Sequence, residues 1–512
     1  MSTPAATNPM PSGRTPVGRW FALSLVGVFV LAVAVRLTGI LRGAGLYGLG
    51  NYDDGVHFAA ALGLVNGLLP YRDFLLLHPP GVVLAMAPFA ALSWLVGEPD
   101  AMAAARLTWM IMGGVNAVLC GLVLRPLNRV AGVVAALFYA LSIGAVYVEH
   151  TILLEPPATG LLLAAMVITR LLGTDEGLRT RHYVIAGLLL GLSPVLKIWG
   201  IVAVLVVVIT IVVRRGRRPG LTTLGAAATS CAVVCLPFFV LAPQEMWRMV
   251  VVAQLERRRA NERLADRLND ILGVREWNNG SDQWTAGLLV VLGLLVAATV
   301  ICLVRAELRV VAALMITHGA LVLTTPMWFL HYAGLTAAPM ALTFGGALAT
   351  LLAWSHRHRW LQACLLATMV AGILVLAYPM RVVDLGDRRL PTAALGKTVP
   401  SWGRCVTTDW PMTLISMDLL QTQIDHGCRF VVDLGGYSYY LIDSPDHAKS
   451  RRHNADWQAY ALAYYRSGDA VIPLRFTTRR GFSTSTAKTL ESWPVIAEVG
   501  RYVVLRPEHG RG

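Results

Sequence analysis

Charged side chains are scarce in this chain: 14% of its 512 residues are Asp, Glu, Lys or Arg, whereas 55% are hydrophobic. Soluble globular domains carry about 25% charged residues, and the mean hydropathy here is +0.58. This shortage excludes a soluble globular protein. No tandem repeat or low-complexity segment is present in the sequence either. The composition predicts an α-helical polytopic membrane protein.

Acidic residues are the scarcer charge type, because 30 Asp and Glu stand against 44 Lys and Arg, and the formal net charge is +14. Such an excess could indicate a nucleic-acid partner. However, most basic residues fall in short clusters between apolar runs, as the positive-inside rule requires of cytoplasmic loops. We therefore interpret the clusters as topology signals and expect the lipid bilayer, not nucleic acid, as a partner.

Apolar runs close to the roughly 20 residues that span a bilayer lie between these clusters. The first run, about 20–41, follows Arg14 and Arg19 and lacks a convincing signal-peptide cleavage site. We predict that it is an uncleaved anchor with a cytoplasmic N-terminus. About eleven transmembrane helices are predicted in all, the later ones at 103–124, 130–148, 157–172, 184–197, 198–213, 221–241, 285–304, 310–325, 333–354 and 360–379. Such a multi-pass protein is expected in the plasma (inner) membrane.

Hydropathy alone could assign one further span to residues 79–97. A span there would move every later basic cluster to the outside, so we place the segment in a long first external loop at 42–102. The loop is expected to form short helices along the membrane interface. Pro70, Pro79, Pro80 and Pro88 would break a straight helix in this region.

Composition predicts three parts: a disordered cytoplasmic N-terminus at 1–18, a transmembrane module at 19–380 and an external α/β domain at 381–512. Charged, aromatic and Ser residues return beyond Met380. Within the last part, 429–433 and 502–505 are predicted strands, and 454–467 is a predicted helix. An odd number of spans places this domain, including Ala448, outside the membrane.

The seven cysteines fall into two groups. Five lie in predicted spans, where a buried thiol usually acts as a small apolar residue. Cys405 and Cys428 lie in the predicted external domain, and an oxidising compartment would allow them to pair. A disulfide and two free thiols are both open at this stage.

Ionisable residues at the membrane edge are the main functional signal, because charged groups persist near hydrocarbon mostly for proton, ion or substrate chemistry. Asp53 and Asp54 directly follow the first span, and we predict that they are catalytic. Helix N-capping is the structural alternative for either residue. The other external candidates are His57, Tyr71, Arg72 and His78 in the first loop, Glu155 in the second, Lys197 in the third, and His331 and Tyr332 in the last.

A fourth external loop, about 242–284, departs from the positive-inside pattern, since it contains Arg257, Arg258 and Arg259 among further arginines. One interpretation is an amphipathic helix solvated at the membrane interface. The other is a binding site for an anionic headgroup or lipid-linked phosphate, because guanidinium groups match phosphate oxygens in geometry.

Several motifs occur together on the predicted external side. They are Tyr52-Asp53-Asp54-Gly55, Pro70-Tyr71-Arg72-Asp73, His78-Pro79-Pro80-Gly81, Glu155-Pro156, a Gly191-Leu192 element that ends at Lys197, and His331-Tyr332. In this combination the chain resembles the GT-C class of integral-membrane glycosyltransferases. It is similar to actinobacterial cell-envelope members and to the protein-mannosyltransferase and lipid A aminoarabinose-transferase branches.

The resemblance implies a GT-C-like fold and transfer of a sugar, with mannose as the first expectation, from a polyprenyl-phosphate donor with inversion. The acceptor is expected to be a lipoglycan, a polysaccharide or a protein. Such a reaction needs a carboxylate base, here Asp53 or Asp54 with Glu155 as a further catalytic candidate. It also needs cations that stabilise the leaving phosphate. The remaining membrane-edge candidates, with Arg257, Arg258 and Arg259, are expected to bind substrate.

Other interpretations of the sequence stay open. Glu155 could cap the helix that starts near Pro156, and Lys197 could extend to the membrane interface. A divalent metal bound by His and Asp in the first loop is a further alternative, and no metal ligand is assigned. A transporter or flippase for a lipid-linked or anionic substrate is the main alternative function, and a non-catalytic envelope scaffold is another.

Overall fold

The protein is described by a computed structural model that covers residues 17–259, 262–275, 284–378, 388–441 and 449–508. Nearly all of the predicted disordered segment 1–18 lies outside the described residues, as do Met380 and Ala448. The described chain is predominantly helical and ends in a small mixed sheet. The predicted fold class is therefore confirmed.

The first helices, up to the third external turn, include both the first long span and the helices of the first loop. They are α1 (Val17–Leu41), α2 (Tyr52–Val65), α3 (Gly81–Val96), α4 (Glu98–Leu124), α5 (Arg129–Leu141), α6 (Ile143–Glu149), α7 (Glu155–Ile168) and α8 (Thr180–Leu196). The remaining helices of the membrane module are α9 (Gly200–Arg215), α10 (Arg217–Leu241), α11 (Pro243–Trp247), α12 (Ala253–Leu255), α13 (Leu264–Leu272), α14 (Ala286–Val304), α15 (Arg309–Thr324), α16 (Gly334–Trp354) and α17 (Arg359–Ala377).

Several of these helices are suited to crossing a bilayer. Five are long and apolar enough by themselves: α1, α4, α10, α14 and α16 with its preceding turn. The pair α5–α6, bent by 58°, is a candidate sixth span. Shorter apolar helices are α3, α7, α8, α15 and α17. The chain is thus a multi-pass membrane protein, and the number of eleven spans stays a prediction.

Helices α8 and α9 form an antiparallel hairpin whose turn contains Lys197. At the far end of the hairpin, Arg215 on α9 lies close to the Tyr183 hydroxyl on α8 and donates hydrogen bonds to the carbonyls of Arg170 and Gly173. Arg214 bonds the Leu171 carbonyl there. The basic residues are therefore gathered at the end of the hairpin opposite Lys197.

The segment 79–97 forms one helix, α3, which begins directly after Pro80 and continues through Pro88. Of the four prolines expected to break a straight helix in this region, Pro80 directly precedes α3 and Pro88 lies inside it. Proline removes one backbone hydrogen bond inside a helix, and α3 still extends over 16 residues with Pro88 in its interior. Gly81 permits the start of α3 to approach the backbone of α8, since a Cβ atom would lie 2.7 Å from the Val195 carbonyl oxygen.

The C-terminal domain is built around a four-stranded sheet with strand order β1–β2–β4–β3. Its strands are β1 (Val406–Thr408), β2 (Ala470–Ile472), β3 (Val495–Val499) and β4 (Tyr502–Leu505). Strands β1 and β2 are parallel, with Val406 opposite Ala470, and the other two pairs are antiparallel. The helices of the domain are α18 (Thr392–Gly396), α19 (Met412–Ser416), α20 (Leu420–Asp425), α21 (Tyr437–Tyr440), α22 (Ala455–Tyr465) and α23 (Thr484–Glu491).

The predicted helix at 454–467 and the predicted strand at 502–505 correspond to α22 and β4. The strand predicted at 429–433 was wrong, because this segment is irregular. Its apolar residues pack against the membrane module: Val432 is buried in a core shared with α2, and the Phe430 ring lies 5.6 Å from that of Phe74. Tertiary contacts with the first external loop thus replace sheet pairing here.

The C-terminal domain and the first loop, 42–102, form one packed unit. Trp402, Met412 and Ile415 are buried in the same core as α2 and α3. At the start of α4, the Glu98 carboxylate accepts hydrogen bonds from the backbone N–H groups of Leu420 and Gln421 at 3.1 and 2.6 Å. The predicted boundary near residue 380 separates two compositions, but the two parts share a hydrophobic core.

The basic end of the α8–α9 hairpin leads to a prediction about topology. Because clustered arginines favour the cytoplasmic side, the C-terminal domain is expected outside. An alkaline-phosphatase fusion after Glu508, expressed in a bacterial host, should be active, and one after Pro126 should be inactive. An inactive fusion after Glu508 together with an active one after Pro126 would indicate the opposite orientation in the membrane. That result would contradict an external C-terminal domain. Formation of the Cys405–Cys428 disulfide, which is present in the structure, is an independent check by thiol labelling with and without reductant.

Candidate active site

The first turn of α2 carries the two aspartates, and its cap is a different residue. The Asn51 side chain accepts a hydrogen bond from the Asp53 backbone N–H at 3.1 Å and so caps the helix. Neither aspartate serves as the N-cap. Both carboxylates lie in the first turn of α2, but their surroundings differ completely.

Asp54 is fully buried and joins the loops that follow α1 and α6. Its Oδ2 atom forms an ion pair with Arg106 of α4 at 3.0 Å and accepts a hydrogen bond from the Thr151 hydroxyl. Its Oδ1 atom accepts from the Ile152 backbone N–H at 3.1 Å. Burial raises the pKa of the Asp54 carboxyl, and Arg106 counteracts that effect. With its oxygens engaged in this way, Asp54 is suited to holding the loops together.

Asp53 is half-buried, and its carboxylate makes no hydrogen bond or ion pair with any described residue. It lines two adjoining cavities that also share Tyr52, Phe329, His331 and Arg475. A carboxylate at such a junction is accessible to substrate groups entering from either cavity. Of the two aspartates, Asp53 is therefore the one placed for proton transfer.

We name the two spaces the inner and the outer cavity. The inner cavity, of about 80 Å³, lies between the membrane module and the C-terminal domain, and its further lining residues include His78, Arg257, Tyr332, Asp433, Tyr439 and Arg451. The outer cavity, of about 470 Å³, is more open, and its further lining residues include Asn51, Tyr147, His150, Arg388, Trp410 and Arg480.

Cations surround the inner cavity. Arg257 donates to the Tyr332 hydroxyl at 3.4 Å, and its guanidinium lies 4.7 Å from the centre of the Tyr439 ring. The Lys197 ammonium lies 4.4 Å from the centre of the Tyr332 ring. Burial and these nearby cations lower the pKa of His78 well below its usual value, so His78 is neutral at neutral pH. The fixed positive charge thus comes from Arg and Lys.

Lys197 and Glu155 form a buried ion pair beside the inner cavity. Neither residue lines the cavity itself. Glu155 begins α7, and its second carboxylate oxygen, Oε2, has no hydrogen-bond partner among the described residues. The geometry favours a role for Glu155 in holding the Lys197 ammonium near Tyr332 over a role as a base.

Of three other first-loop candidates, Tyr71 and His57 lie next to the cavity residue His78, and Arg72 lies away from both cavities. The Tyr71 hydroxyl donates to the His78 carbonyl at 2.7 Å, and Tyr71 has a left-handed backbone with φ of 70°. The His57 ring shares a hydrogen bond with the Ile152 carbonyl at 3.0 Å and lies 6.0 Å from the ring of His78. Arg72 is exposed and pairs with its neighbour Asp73.

The three consecutive arginines of the arginine-rich segment have different surroundings in the structure. Arg257 is half-buried and lines the inner cavity, whereas Arg258 and Arg259 are exposed and line neither cavity. The predicted phosphate-binding triplet is thus reduced to a single arginine at the site, and the other two fit the alternative of solvation at the interface.

The C-terminal domain contributes residues that the sequence did not indicate. The Tyr52 hydroxyl donates to Asp433 at 2.9 Å, and the Arg475 guanidinium lies 3.8 Å from the centre of the Tyr52 ring. No motif distinguishes Asp433 or Arg475 in the sequence. Only the docking of the domain onto α2 could place them at the site.

The described residues contain no group of three or more His, Cys, Asp or Glu side chains that could hold a metal ion. The His57 and His78 rings are close to each other, but the Asp54 carboxylate forms an ion pair with Arg106. The first-loop metal site considered from the sequence therefore has no ligand set within the described chain.

Comparison with known proteins gives matches among solved structures, whereas no protein-family model and no curated protein matches the chain. ArnT from Cupriavidus metallidurans in the apo state superimposes with a TM-score of 0.58 at 13% identity, over 97% of this chain and 99% of ArnT. The same protein bound to undecaprenyl phosphate gives 0.58 and 13%, over 96% and 98% of the two chains.

The archaeal oligosaccharyltransferase AglB from Archaeoglobus fulgidus, in complex with an inhibitory peptide and a dolichol-phosphate, gives a TM-score of 0.53 at 12% identity, over 89% of this chain and 69% of AglB. The chain has the GT-C fold. The resemblance seen in the sequence motifs is confirmed at the level of this fold. The GT-C fold extends over nearly the whole chain, including the C-terminal domain, since the coverage of ArnT is almost complete.

The contrast between the two aspartates predicts effects of very different size on stability. Asp54→Asn leaves Arg106 buried without its counter-charge, which costs about 3–5 kcal/mol in comparable buried pairs. Asp53→Asn removes no hydrogen bond or ion pair seen among the described residues, so a change within about 0.5 kcal/mol is expected. Thermal unfolding in detergent, followed by size-exclusion fluorescence, should show a large loss for the first variant only. Equal unfolding temperatures for the two variants would contradict the inference that Asp54 holds the loops together.

Proposed function

We propose that the protein transfers a sugar from a polyprenyl-phosphate donor to a hydroxyl group of a cell-envelope acceptor on the external membrane face, with inversion at the anomeric carbon. The observation that carries this proposal is the free carboxylate of Asp53, at the junction of a cation-walled inner cavity and a larger outer cavity. The undecaprenyl phosphate bound by ArnT, which shares the fold, supports a lipid phosphate as the donor group.

In this reaction the acceptor hydroxyl occupies the outer cavity beside Asp53. Asp53 accepts the hydroxyl proton while the oxygen attacks the anomeric carbon. The bond between that carbon and the phosphate oxygen breaks, and the lipid phosphate leaves with the electron pair. General-base assistance of this kind contributes about 10²–10⁴-fold in rate. A single displacement needs no covalent enzyme intermediate and leads to inversion.

The donor phosphate occupies the inner cavity, where positive charge stabilises the leaving group as it develops. Arg257 contacts it directly, and Lys197, held by Glu155 behind the Tyr332 ring, adds positive potential at short range. His78 is neutral and supplies a hydrogen bond without further charge. Arg258 and Arg259 take no part, because their side chains lie outside the cavity.

The family resemblance favours mannose as the transferred sugar and a lipoglycan, polysaccharide or protein as the acceptor class. Purified protein supplied with radiolabelled polyprenyl-phosphate mannose, and separately with the arabinose analogue, tests this choice. Transfer from the mannose donor alone supports it, and transfer from the arabinose donor alone replaces it.

Loss of the base should abolish turnover without loss of the fold. Asp53→Asn retains the size of the side chain but removes its ability to accept a proton, so we expect kcat to fall by about 10²–10⁴-fold. Donor KM should change little, because in this proposal Arg257, and not Asp53, contacts the donor phosphate. The measurement is sugar transfer under saturating donor, normalised to folded protein by size-exclusion chromatography.

Hydrolysis of the donor by water serves as a second readout, because it requires no acceptor. Asp53→Asn should slow hydrolysis together with transfer. Near-normal transfer by the folded variant would refute Asp53 as the base and, with it, the assignment of this loop.

Donor binding should depend on one arginine and not on its neighbour. Arg257→Gln removes a guanidinium from the inner cavity wall, and hydrogen bonds to charged groups contribute about 1.5–3 kcal/mol. We therefore expect donor KM to rise by at least about tenfold. Arg258→Gln is the matched control, since it removes the same charge from an exposed position and should leave donor KM within about twofold.

A rise of equal size in both variants would mean that general electrostatics, and not a phosphate contact, governs donor affinity. No rise in either variant would leave Arg257 as an interfacial residue. The salt dependence of donor KM further distinguishes general electrostatics from a phosphate contact. The exposed charge of Arg258 is screened more strongly than the partly buried charge of Arg257.

A further inference from the structure

The outer cavity has an unusual charge balance. Arg388, Arg475 and Arg480, all from the C-terminal domain, line it together with His150, and Asp53 is the single carboxylate among its described lining residues. The inner cavity already provides Arg257 for the donor phosphate. The proposed sugar transfer assigns no ligand to Arg475 and Arg480 at the outer cavity.

Arg475 is held in place by its backbone. The buried Asp409 carboxylate accepts three hydrogen bonds, from the backbone N–H groups of Leu474, Arg475 and Phe476 at 2.7, 3.0 and 2.8 Å. The Arg475 guanidinium then lies over the Tyr52 ring at 3.8 Å. Within the described chain it forms no ion pair with a carboxylate. A preset guanidinium without a counter-charge is suited to an incoming anion.

We propose that the outer cavity binds an anionic group of the acceptor, specifically a phosphodiester next to the hydroxyl that receives the sugar. Guanidinium groups bind phosphate oxygens with matched geometry, whereas a neutral polyol would leave the Arg475 guanidinium without a counter-charge. The inference rests on the proposed function, because it concerns the acceptor of that reaction. It specifies a substrate class that the fold does not determine.

The position of Asp53 separates this anion from the donor phosphate. Asp53 and His331 line both cavities, Arg257 lines only the inner one, and Arg480 lines only the outer one. An anion at Arg480 is thus on the acceptor side of the base. The acceptor hydroxyl then reaches Asp53 while its phosphodiester stays at the arginines.

Binding of small probes tests the proposal independently of transfer. Glycerophosphoglycerol and glycerophosphoinositol are titrated calorimetrically into the full-length protein in detergent, with glycerol and inositol as neutral counterparts. The phosphodiesters should bind more tightly than the neutral compounds, and added salt should weaken them. Arg480→Gln should weaken their binding by about tenfold.

Arg479→Gln is the matched control, because Arg479 is the adjacent exposed arginine and does not line the outer cavity. It should retain phosphodiester affinity within about twofold. Failure of both phosphodiesters to bind more tightly than their neutral counterparts would overturn the proposal. Equal weakening by Arg479→Gln and Arg480→Gln would overturn it as well.

Undecaprenyl phosphate binding distinguishes this proposal from the proposed function. Arg480→Gln should leave it unchanged, whereas Arg257→Gln should weaken it without affecting the phosphodiester probes. Loss of lipid-phosphate binding in Arg480→Gln would refute separate sites. Absence of lipid-phosphate binding by the wild-type protein would refute the donor assignment while leaving the anion site intact.

The source of the phosphodiester is determined in the transfer assay. One arm offers phosphatidylglycerol and phosphatidylinositol in vesicles, and the other offers the soluble headgroups. Transfer in the first arm identifies a membrane lipid, and transfer in the second identifies a soluble or polymeric phosphodiester. Transfer to a neutral glycolipid at the same KM as to the anionic acceptors would contradict the proposal.

Discussion

The buried ion pair between Asp54 and Arg106 determines the geometry of the whole site. It connects the first turn of α2 to α4, and the remaining bonds of Asp54 reach Thr151 and Ile152 in the second external loop. Arg106 also donates to the carbonyls that precede α2. Because the α2 backbone is fixed in this way, Asp53 one residue earlier faces the cavities. A buried pair of this kind is costly to break, so it specifies one arrangement of the loops.

Docking of the C-terminal domain completes the site and depends on close backbone approach. Gly55, next to Asp54, has no Cβ atom, and one placed there would lie 2.6 Å from the Met412 backbone nitrogen. Tyr52 on the same turn of α2 contacts Asp433 and Arg475. The motif Tyr52-Asp53-Asp54-Gly55 therefore combines contact with the domain, loop fixation and close packing with the proposed chemistry of Asp53. Catalysis explains only one of its residues.

Positive charge is divided between two places with different physical settings. Lys197 is buried and paired with Glu155, and two aromatic rings face its ammonium group at 4.6 and 4.4 Å. Burial strengthens the field of such a charge but requires a counter-ion to offset desolvation. Arg475 of the C-terminal domain lies at the outer cavity and forms no ion pair with a carboxylate within the described chain. The first setting suits stabilisation of a leaving group, and the second suits capture of a ligand.

The sequence by itself determined the membrane class, most helix positions and the first-loop aspartates, because hydropathy and charge placement are local properties that the bilayer imposes directly. It also directed attention to Lys197 and Arg257. It did not distinguish Asp53 from Asp54, since both share one helix turn and only Arg106, 52 residues away, decides which is buried. The strand predicted at 429–433 failed because Val432 packs on α2. Only the tertiary structure showed that Arg475 lies at the site and that the site has two cavities. Contacts between segments hundreds of residues apart leave no local pattern in the sequence.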